Sequence, residues 1–485
     1  MTDGRVPRGR LRRTMPLTGF TARAAGGRVV AALRERAGDD GAVDRYHERT
    51  AARYAELLGH SKGLMMKAGQ MFSVIEATGA GSGASGPNRP GAGSGASGPN
   101  RPGGILSPYQ RALARLQADA PPMHPDLARS VIEDDLGRPV GEVFAEFASE
   151  PMAAASIGQV HRATLPDGRS VAVKVQYPGV AEAIRDDLRN TELVSSALRL
   201  MGGPMSDLRG ATAEIAERIG EELDYRREAR NIAAFAELYA GHPHIVVPEP
   251  VPGASGDRVL TMSYLDGMDW AAAQTADQEL KNVWAEVLSR MITGSYRHAD
   301  LFHADPHPGN FRFRPDGRVG LLDFGCVKVL SEPVRHRMVS LLRATVEGRR
   351  EDLHGLMAAA GFFPDGVDLS VDDAYGWWAS MVTELMGPQP ATFTAAQSEQ
   401  TVRALIDVRS SDHPVRRMTI PRDYVFFSRI SLSIGAMLAT LGATFYARAA
   451  LDDMDGVAAP VSEVGRAHEA WVRSRGLPHG MDHHV

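Results

Sequence analysis

The chain has 485 residues, of which 43% are hydrophobic and 23% charged, and a formal net charge of −5. This composition is typical of a globular protein long enough for two or three domains. The slight negative charge gives no general reason to expect nucleic-acid binding. The single cysteine, Cys326, excludes an internal disulfide and is typical of a reducing cytoplasm.

The N-terminal 137 residues are predicted to contain a basic arm and a helical extension. Residues 1–36 contain nine arginines and only two acidic residues, and no apolar core of signal-peptide type follows the arginines. We predict a flexible arm over 1–40, with attraction to anionic lipid as the alternative. A helical pattern over 41–137 ends at Gly137, a plausible C-cap. The repeated GAGSGASGPNRP segment predicts a flexible linker at 79–104.

The rest of the chain has the order of a small β-rich lobe followed by a helical lobe. Strand patterns around a PDG turn predict an N-lobe over 138–266, and helical patterns predict a C-lobe over 267–455 and a polar tail over 456–485. The apolar segment 424–445 is interrupted by Arg429 and three serines. A membrane span needs about 20 apolar residues with few charges, so we predict a buried globular helix rather than a membrane hairpin.

The segment AAASIGQVHRATLPDGRSVAVK resembles the nucleotide-covering hairpin of protein kinases, Gly-x-Gly-x-x-Gly-x-Val followed by Val-Ala-x-Lys. Counted back from Val160, the three glycine positions hold Ala153, Ala155 and Gly158, and Lys174 closes the second strand. A backbone segment at 261–267 lies where a kinase chain crosses between lobes and could bind adenine. The residues predicted to contact the nucleotide are therefore Ala153, Ala154, Ala155, Ser156, Gly158, Val160, Lys174, Met262 and Tyr264.

The segment HADPHPGNFRFRPDGRVGLLDFG has the order and spacing of a kinase catalytic loop followed by Asp-Phe-Gly. Phosphoryl transfer needs positioned metal ions and a carboxylate that orients the nucleophile. Asp305 matches that carboxylate, and the oxygens of Asn310 and Asp323 suit Mg²⁺. The alternating His303, Asp305 and His307 could instead suggest a transition-metal site, but no cysteine or acidic helix motif supports it.

The cation of Lys174 needs a carboxylate partner from a helix. The predicted helix 214–231 offers Glu222, Asp224 and Glu228. Glu222 and Glu228 project in different directions on a regular helix, so both cannot be assumed to pair with Lys174. The alternative is a solvated, charged helix.

Four motifs in order closely resemble the AarF/UbiB family of atypical kinase-like proteins: KAGQ, the alanine-rich loop, EELDYRRE and HADPHPGNF. The resemblance runs from about residue 45 to about residue 450. It implies an α+β, two-lobed protein-kinase-like fold. It also implies that a helical N-terminal extension packs over the active site.

The resemblance also implies residue roles. Lys67 and Gln70 would belong to the Lys-x-Gly-Gln motif of the extension, and Glu222 with Asp224 would form a Glu-x-Asp motif in which Glu222 faces Lys67. Glu228 would then be the partner of Lys174. Asp305 would take the catalytic-aspartate position, with Asn310 and Asp323 as metal ligands.

The implied function is that of an ATP-binding protein with Mg²⁺, an ATPase or a small-molecule or lipid kinase that supports isoprenoid quinone or lipid metabolism. ATP or ADP and a lipid or quinone precursor are the expected partners, without nucleic acid. The expected location is the cytoplasm, with peripheral contact at the inner face of the membrane. Protein phosphorylation in trans is not expected, because the extension would fill the peptide site and no Ala-Pro-Glu follows DFG.

Two other functions are compatible with the motifs. HADPHPGN also resembles the catalytic loop of aminoglycoside-type phosphotransferases, although those enzymes lack the Lys-x-Gly-Gln motif. The alanine loop suggests instead a nucleotide-gated, lipid-binding scaffold without catalysis.

Some bacterial AarF/UbiB members carry a hydrophobic C-terminal hairpin, whereas this chain has the polar segment RAHEAWVRSRGLPHGMDHHV there. We therefore expect peripheral membrane contact rather than stable anchoring.

Overall fold

The computed structural model describes residues 123–155, 157–182, 220–364, 366–367, 369–406, 414, 417–478 and 480. The predicted basic arm, the Gly/Ser/Pro linker and nearly all of the helical extension lie outside these residues. The chain divides into two compact units. One comprises residues 125–153, 160–176 and 220–485, and the other comprises 1–124, 154–159 and 177–219.

The strands are short and rich in aliphatic and β-branched residues, which pack well on a pleated surface. In chain order they are β1 Glu146–Phe147, β2 Ala153–Ala154, β3 Gly158–Thr164, β4 Ser170–Gln176, β5 Ile245–Val246, β6 Val259–Ser263, β7 Leu301–His303, β8 Phe311–Phe313, β9 Val319–Leu321, β10 Val327–Val329, β11 Ala391–Thr392 and β12 Thr444–Phe445.

The longer helices, such as Gln278–His298 and Glu332–Val346, carry apolar residues at helical spacing and bury that face. In chain order they are α1 Pro125–Leu136, α2 Val140–Val143, α3 Tyr225–Leu238, α4 Trp270–Gln274, α5 Gln278–His298, α6 Glu332–Val346, α7 Arg350–Ala360, α8 Val371–Ala379, α9 Thr383–Met386, α10 Ala395–Ile406, α11 Arg422–Leu441, α12 Ala447–Met454 and α13 Glu463–Arg475. Two 3-10 turns lie at Pro252–Ala254 and Pro308–Asn310.

The β-rich part is a five-stranded sheet with the order β1-β3-β4-β6, in which β2 pairs with β3. β4 and β6 run antiparallel with Lys174 opposite Leu260. The PDG turn between β3 and β4 has Gly168 at φ +87°, a left-handed conformation that glycine adopts without steric cost. The predicted β-hairpin with Lys174 on its second strand agrees with this topology, but Lys174 does not close that strand, because β4 continues to Gln176.

The second PDG hairpin joins β8 to β9, which pair antiparallel, while β5 adds to β9 in parallel. β7 pairs with β10, so that His303 lies opposite Val327. These pairings hold the segment 304–310 and the DFG sequence next to each other at neighbouring strand ends. After DFG the chain forms β10 and enters α6 at Glu332, as the sequence predicts from the lack of a long activation segment.

The helical part is organised around α5, whose buried face includes two arginines. Arg290 donates two hydrogen bonds of 2.6 Å to Asp453 of α12, and Arg297 donates one of 2.6 Å to Asp455. Each of these arginines is 1% exposed. Buried charges of this kind are stable only when paired and hydrogen-bonded, so these bonds fix α12 against α5.

The predicted buried helix in the segment 424–445 is α11. The helix ends at Gly442, whose φ of +59° forms a left-handed C-cap. Phe427 of α11 packs against Phe302 of β7 with 4.5 Å between ring centroids, so the helix contributes to the protein core. In the described part of the chain, no helix is long and apolar enough to cross a bilayer.

One predicted helix is wrong in its extent. The sequence places Glu222, Asp224 and Glu228 on one helix over 214–231. In the structure residues 220–222 are helical, the helix is broken at 223–224, and α3 starts at Tyr225. The Asp224 side chain accepts a hydrogen bond of 2.8 Å from the backbone N–H of Arg227. This N-cap satisfies a donor that the start of a helix otherwise leaves free, and it favours the break.

Candidate nucleotide and metal site

A buried cluster of charges joins β4, α3 and the DFG segment. The Nζ of Lys174 lies 2.5 Å from Oε1 of Glu228 and 3.0 Å from Oδ2 of Asp323. The side chains of Lys174 and Glu228 are 9% and 4% exposed, whereas that of Asp323 is 39% exposed. The cluster therefore has a closed side formed by the Lys174–Glu228 pair and an open side at Asp323.

Lys174 keeps its positive charge in this site. Burial alone would lower its pKa, but the carboxylates of Asp323 and Glu228 outweigh burial and raise the pKa above its ordinary value. An opposite charge within hydrogen-bond distance favours the charged form of a lysine. The site therefore presents a fixed cation beside the solvent-accessible carboxylate of Asp323, which is the charge pattern that a nucleotide with a bound divalent ion requires.

The DFG segment is held by contacts on both sides. The backbone N–H of Gly325 donates to Oδ1 of Asp323 over 3.0 Å. The side chain of Asn231 on α3 donates to the carbonyl of Phe324 over 2.8 Å. Phe324 is fully buried, with its ring centroid 5.3 Å from that of Phe235. These contacts turn Phe324 into the core and leave the Asp323 carboxylate at the site.

His303 supports the same segment from β7. Its Nε2 lies 2.7 Å from the carbonyl oxygen of Asp323. Burial lowers the pKa of His303, so the ring is neutral at pH 7 and Nε2–H donates this bond. The Nδ1 of His307 accepts from the N–H of Gly309 over 3.1 Å. The two histidines therefore have structural roles, and among the described residues no group of three or more His, Cys, Asp or Glu side chains could hold a metal ion.

The catalytic-loop segment is shaped by the carbonyl of Asp305. That oxygen accepts the N–H of His307 over 2.8 Å and the side-chain amide nitrogen of Asn310 over 3.0 Å. The carbonyl of Asn310 accepts the N–H of Leu322 over 2.8 Å. The amide nitrogen of Asn310 is thus engaged within the loop, and its Oδ1 is the atom suited to coordinate a cation.

The oxygens of Asn310 and Asp323 fit Mg²⁺, a hard cation that binds proteins through one or two carboxylates together with phosphate and water oxygens. The backbone bond between Asn310 and Leu322 brings these two residues to the same end of the β8–β9 hairpin. Asp323 Oδ2 also contacts Lys174. We therefore expect a bound ion to change that ion pair.

The Glu-x-Asp residues flank the break before α3, with Glu222 at the end of the helical residues 220–222 and Asp224 at the N-cap. Glu222 lies beside DFG, since a Cβ added at Gly325 would be 3.6 Å from its Cγ. The side chain of Gln176 at the end of β4 donates to the carbonyl of Leu223 over 2.8 Å. The turn is thereby connected to the strand that carries Lys174.

Glu221 is a residue that the sequence analysis missed. Its buried carboxylate accepts from Lys328 of β10 over 3.0 Å and from Arg227 of α3 over 2.9 Å. It connects the Glu-x-Asp turn to the strand that follows DFG. In sequence it is one acidic residue in a charged run, and only the position of Lys328 after DFG could have indicated a partner.

The predicted nucleotide loop lies in β2, β3 and the turn between them. Ala153 and Ala154 form β2, Gly158 and Val160 belong to β3, and Ser156 lies outside the described residues. Ala155 and Gly158 exchange backbone hydrogen bonds of 2.9 and 3.4 Å. Ala153 thus lies in β2, and the backbone of Ala155 is bonded to that of Gly158 at the start of β3.

The predicted adenine segment is at the end of β6. Met262 pairs with Ala172 of β4, and the N–H of Tyr264 donates to the carbonyl of Ser170 over 3.0 Å. An adenine would therefore bind other backbone groups of this segment or replace the bond from Tyr264. Lys67 and Gln70 of the Lys-x-Gly-Gln motif lie outside the described residues.

Together, the sheet with its lysine, the helix with its glutamate, the catalytic-loop segment and the DFG segment define a protein of the kinase-like class. The predicted α+β kinase-like fold is confirmed. A family model described as the ABC1 atypical kinase-like domain matches residues 115–357. The chain belongs to this family, and the predicted AarF/UbiB relationship is confirmed.

Similar proteins agree with this family. Protein Activity of BC1 Complex Kinase 1, chloroplastic, of Arabidopsis thaliana is 37% identical over 279 residues, covering 55% of this chain and 40% of that protein. AarF domain-containing protein kinase 1 of Xenopus tropicalis is 30% identical over 314 residues, covering 62% and 54%. This chain thus spans about half or less of these curated relatives.

A solved structure is similar over nearly its whole length. The chain of Rv3197 from Mycobacterium tuberculosis, in a complex with erythromycin, is 30% identical to this chain. The two superpose with a TM-score of 0.59, covering 87% of this chain and 97% of that chain. This similarity extends beyond the residues that the family model matches.

Proposed function

We propose that this protein binds ATP or ADP together with Mg²⁺ and transfers the terminal phosphoryl group of ATP to water or to a small-molecule or lipid acceptor. The observation that carries the proposal is the contact of Lys174 with both Glu228 and Asp323, at 2.5 and 3.0 Å. It places the Lys174–Glu228 ion pair beside the DFG carboxylate, and phosphoryl transfer in a kinase-like site needs both such an ion pair and a DFG aspartate that holds the metal.

Each residue has a chemical task in this proposal. Lys174, held by Glu228, binds phosphate oxygens. Asn310 and Asp323 hold Mg²⁺, which when bound neutralises phosphate charge. Asp305 orients the acceptor hydroxyl or water and accepts its proton. The Lys67, Gln70, Glu222 and Asp224 motifs are proposed to close the site against peptide substrates, in line with the family resemblance.

The acceptor class proposed first is a lipid or isoprenoid quinone precursor, which would bring the protein to the cytoplasmic face of a membrane as a peripheral protein. The family resemblance supports this acceptor. Quinone and lipid profiling of a deletion strain, complemented with wild type or Asp323→Asn, tests it. Restoration of the lipid profile by both versions, or an unchanged profile in the deletion strain, would contradict a role for this site in that metabolism.

The transfer step is tested with γ-labelled ATP and the full chain, with and without a lipid extract. We expect release or transfer of label by the wild type and its loss in Asp305→Asn. Asp372→Asn is the matched control, because the Asp372 side chain is 77% exposed and lies outside the site. Label in phosphate alone indicates an ATPase, and label in an extracted product indicates a kinase. Absence of both would contradict the enzymatic proposal.

A second candidate function is binding of a large hydroxylated small molecule. The complex of Rv3197 with erythromycin, at 30% identity over 97% of that chain, favours it. Calorimetric titration of erythromycin into this protein, with and without ATP and Mg²⁺, tests it. Binding followed by labelling of erythromycin from γ-labelled ATP would support a small-molecule phosphotransferase. Binding without labelling would support a binding protein, and no binding would remove this candidate.

A third candidate is the lipid-binding scaffold. The two backbone hydrogen bonds between Ala155 and Gly158 favour it, because alanine restricts the backbone where kinases use glycine to approach phosphate. Liposome flotation with and without nucleotide tests the scaffold. A nucleotide-dependent shift without any turnover of ATP would favour it over the enzyme.

A further inference from the structure

A short segment at the break before α3, residues 221–224, is bound to each of the three elements that supply the charges of the proposed site. The carbonyl of Leu223 accepts from the side chain of Gln176 at the end of β4 over 2.8 Å. The carboxylate of Glu221 accepts from the first turn of α3 over 2.9 Å and from Lys328 of β10 over 3.0 Å. β4 carries the lysine of the site, α3 carries its glutamate, and β10 follows the DFG aspartate. The segment therefore joins all three elements.

Glu221 supplies the charged contacts of this segment. Its Oε1 accepts from both Arg227 of α3 and Lys328 of β10. The side chain of Glu221 is 7% exposed, whereas those of Arg227 and Lys328 are 32% and 21% exposed. A buried carboxylate is stable when it is paired and hydrogen-bonded, and charge-assisted bonds are about twice as strong as neutral ones. Glu221 therefore holds the first turn of α3 and the strand after DFG at one point.

Both partners of Glu221 are close in sequence to a charged residue of the site. Arg227 directly precedes Glu228, and Lys328 follows Asp323 by five residues. β10 is paired with β7, and α3 is a regular helix from its N-cap onward. Helices and packed elements shift as rigid bodies in switching transitions. Loss of the Glu221 contacts would therefore free α3 to move relative to the DFG segment.

The segment after DFG is too short to act as a regulatory activation loop. Residues 326–331 separate DFG from α6, and three of them form β10. In protein kinases the ion pair between the strand lysine and the helix glutamate must be in place together with the DFG aspartate, and phosphorylation of the activation loop controls this arrangement. In this protein the position of α3 depends instead on contacts within the fold.

We propose that Glu221 is a positioning residue that holds α3 in the arrangement required for phosphoryl transfer, without any modification of an activation loop. A phosphate on such a loop acts by binding cationic side chains, and the carboxylate of Glu221 binds Arg227 and Lys328 in the same manner. This inference rests on the proposed function and adds a statement about its regulation. The site is assembled at all times, and access of the substrates controls its turnover.

Turnover of γ-labelled ATP by the full chain tests the positioning role in Glu221→Gln, which keeps the shape of the side chain and removes its charge. We expect kcat to fall at least about tenfold, while KM for ATP changes less than about threefold, because Glu221 is bonded to α3 and β10 rather than to the nucleotide. Asp452→Asn on α12 is the matched control. Its carboxylate is also shared by two cations, Arg343 and Arg448, and it should leave kcat as in the wild type.

Lys328→Met breaks the same contact from the other side. It should also lower kcat, and its loss should not multiply with that of Glu221→Gln in the double variant, because both changes remove one interaction. Phosphatase treatment should leave the kcat of the wild type unchanged. An unchanged kcat in Glu221→Gln, multiplied losses in the double variant, or a loss of kcat after phosphatase treatment would overturn the proposal.

Labelling of Lys174 with an amine-reactive reagent, followed by peptide mass spectrometry, tests the same role without turnover. The Lys174 side chain is 9% exposed and paired with Glu228, so a movement of α3 would expose its amine. We expect labelling at least about tenfold faster in Glu221→Gln than in the wild type, and wild-type rates in Asp452→Asn. Faster labelling in a protein that turns over no ATP would support the positioning role and contradict the proposed function. Equal labelling of Lys174 in Glu221→Gln and the wild type would overturn the positioning role itself.

Discussion

Removal of the Lys174 charge should leave the buried carboxylate of Glu228 without its ion-pair partner. The Glu228 side chain is 4% exposed and lies 2.5 Å from Lys174 Nζ. In Lys174→Met the carboxylate retains the N–H of Phe324, at 3.4 Å. Breaking a buried ion pair by removing one partner typically costs about 3 to 5 kcal/mol, and we expect a loss of unfolding free energy in this range at pH 7.

The loss should depend on pH in a defined direction. Burial raises the pKa of Glu228, in opposition to the attraction of Lys174, and removal of the lysine leaves burial dominant. A carboxyl group whose pKa is raised in the folded protein is neutral at pH values below its ordinary pKa, and burial of this neutral form costs little stability. Its charge becomes costly as the pH rises through the raised value. The destabilisation of Lys174→Met should therefore be small at acidic pH and grow toward neutral pH.

Urea unfolding of the full chain, followed by tryptophan fluorescence and circular dichroism at several pH values, measures this effect. The double variant Lys174→Met with Glu228→Gln removes both charges and should recover at least about half of the loss. Lys281→Met on α5 is the control, because its Nζ makes a long, exposed contact of 3.5 Å. A loss below about 1 kcal/mol for Lys174→Met, or no dependence on pH, would refute the reasoning.

Three further changes test how the site is held. Asp224→Ala removes the N-cap of α3 and should cost about 1 kcal/mol in urea unfolding, with faster amide exchange at Arg227; unchanged exchange there would argue against the cap. Asn231→Ala removes the 2.8 Å bond to the Phe324 carbonyl and should cost about 1 kcal/mol. Equal exchange of the DFG amides in this variant and wild type would show that Asn231 does not hold that segment. Gly442→Ala forces alanine into φ +59° and should cost about 1 to 2 kcal/mol, whereas no loss would mean that the C-cap rearranges freely.

Local sequence patterns predicted the elements that local physics determines. The two PDG hairpins, the helix within 424–445 and the early start of α6 after DFG all follow from turn residues, hydrophobic periodicity and capping. Gly168 and Gly317 have positive φ in the two hairpin turns, as such turns require. These features depend on neighbours within a few residues, which a sequence displays directly.

The break before α3 was not predicted, because the charged run EELDYRREA is also compatible with a continuous helix. An aspartate moderately destabilises the interior of a helix, whereas at an N-cap its side chain stabilises the helix. The side chain of Gln176 also donates a hydrogen bond to the carbonyl of Leu223, the residue before Asp224. This second contact at the break comes from β4, which is distant in sequence.

The contact between His242 and His468 and the connection of Glu221 with Lys328 could not be predicted from the sequence. Each depends on side chains brought together from separate elements, such as His242 and His468, which are 226 positions apart. Single histidines in helices carry no periodic signal. Their roles become visible only when the hydrogen-bond directions are known.

Calorimetric titration of ATP into the full chain, with Mg²⁺ and again with the metal chelated, tests the central claim most directly. We expect ATP to bind more strongly with Mg²⁺ in the wild type. We expect Asp323→Asn to lose that metal dependence, while Asp372→Asn behaves as wild type. No binding of ATP in either condition, or an unchanged Mg²⁺ dependence in Asp323→Asn, would contradict a nucleotide and metal site formed by Lys174, Asn310 and Asp323.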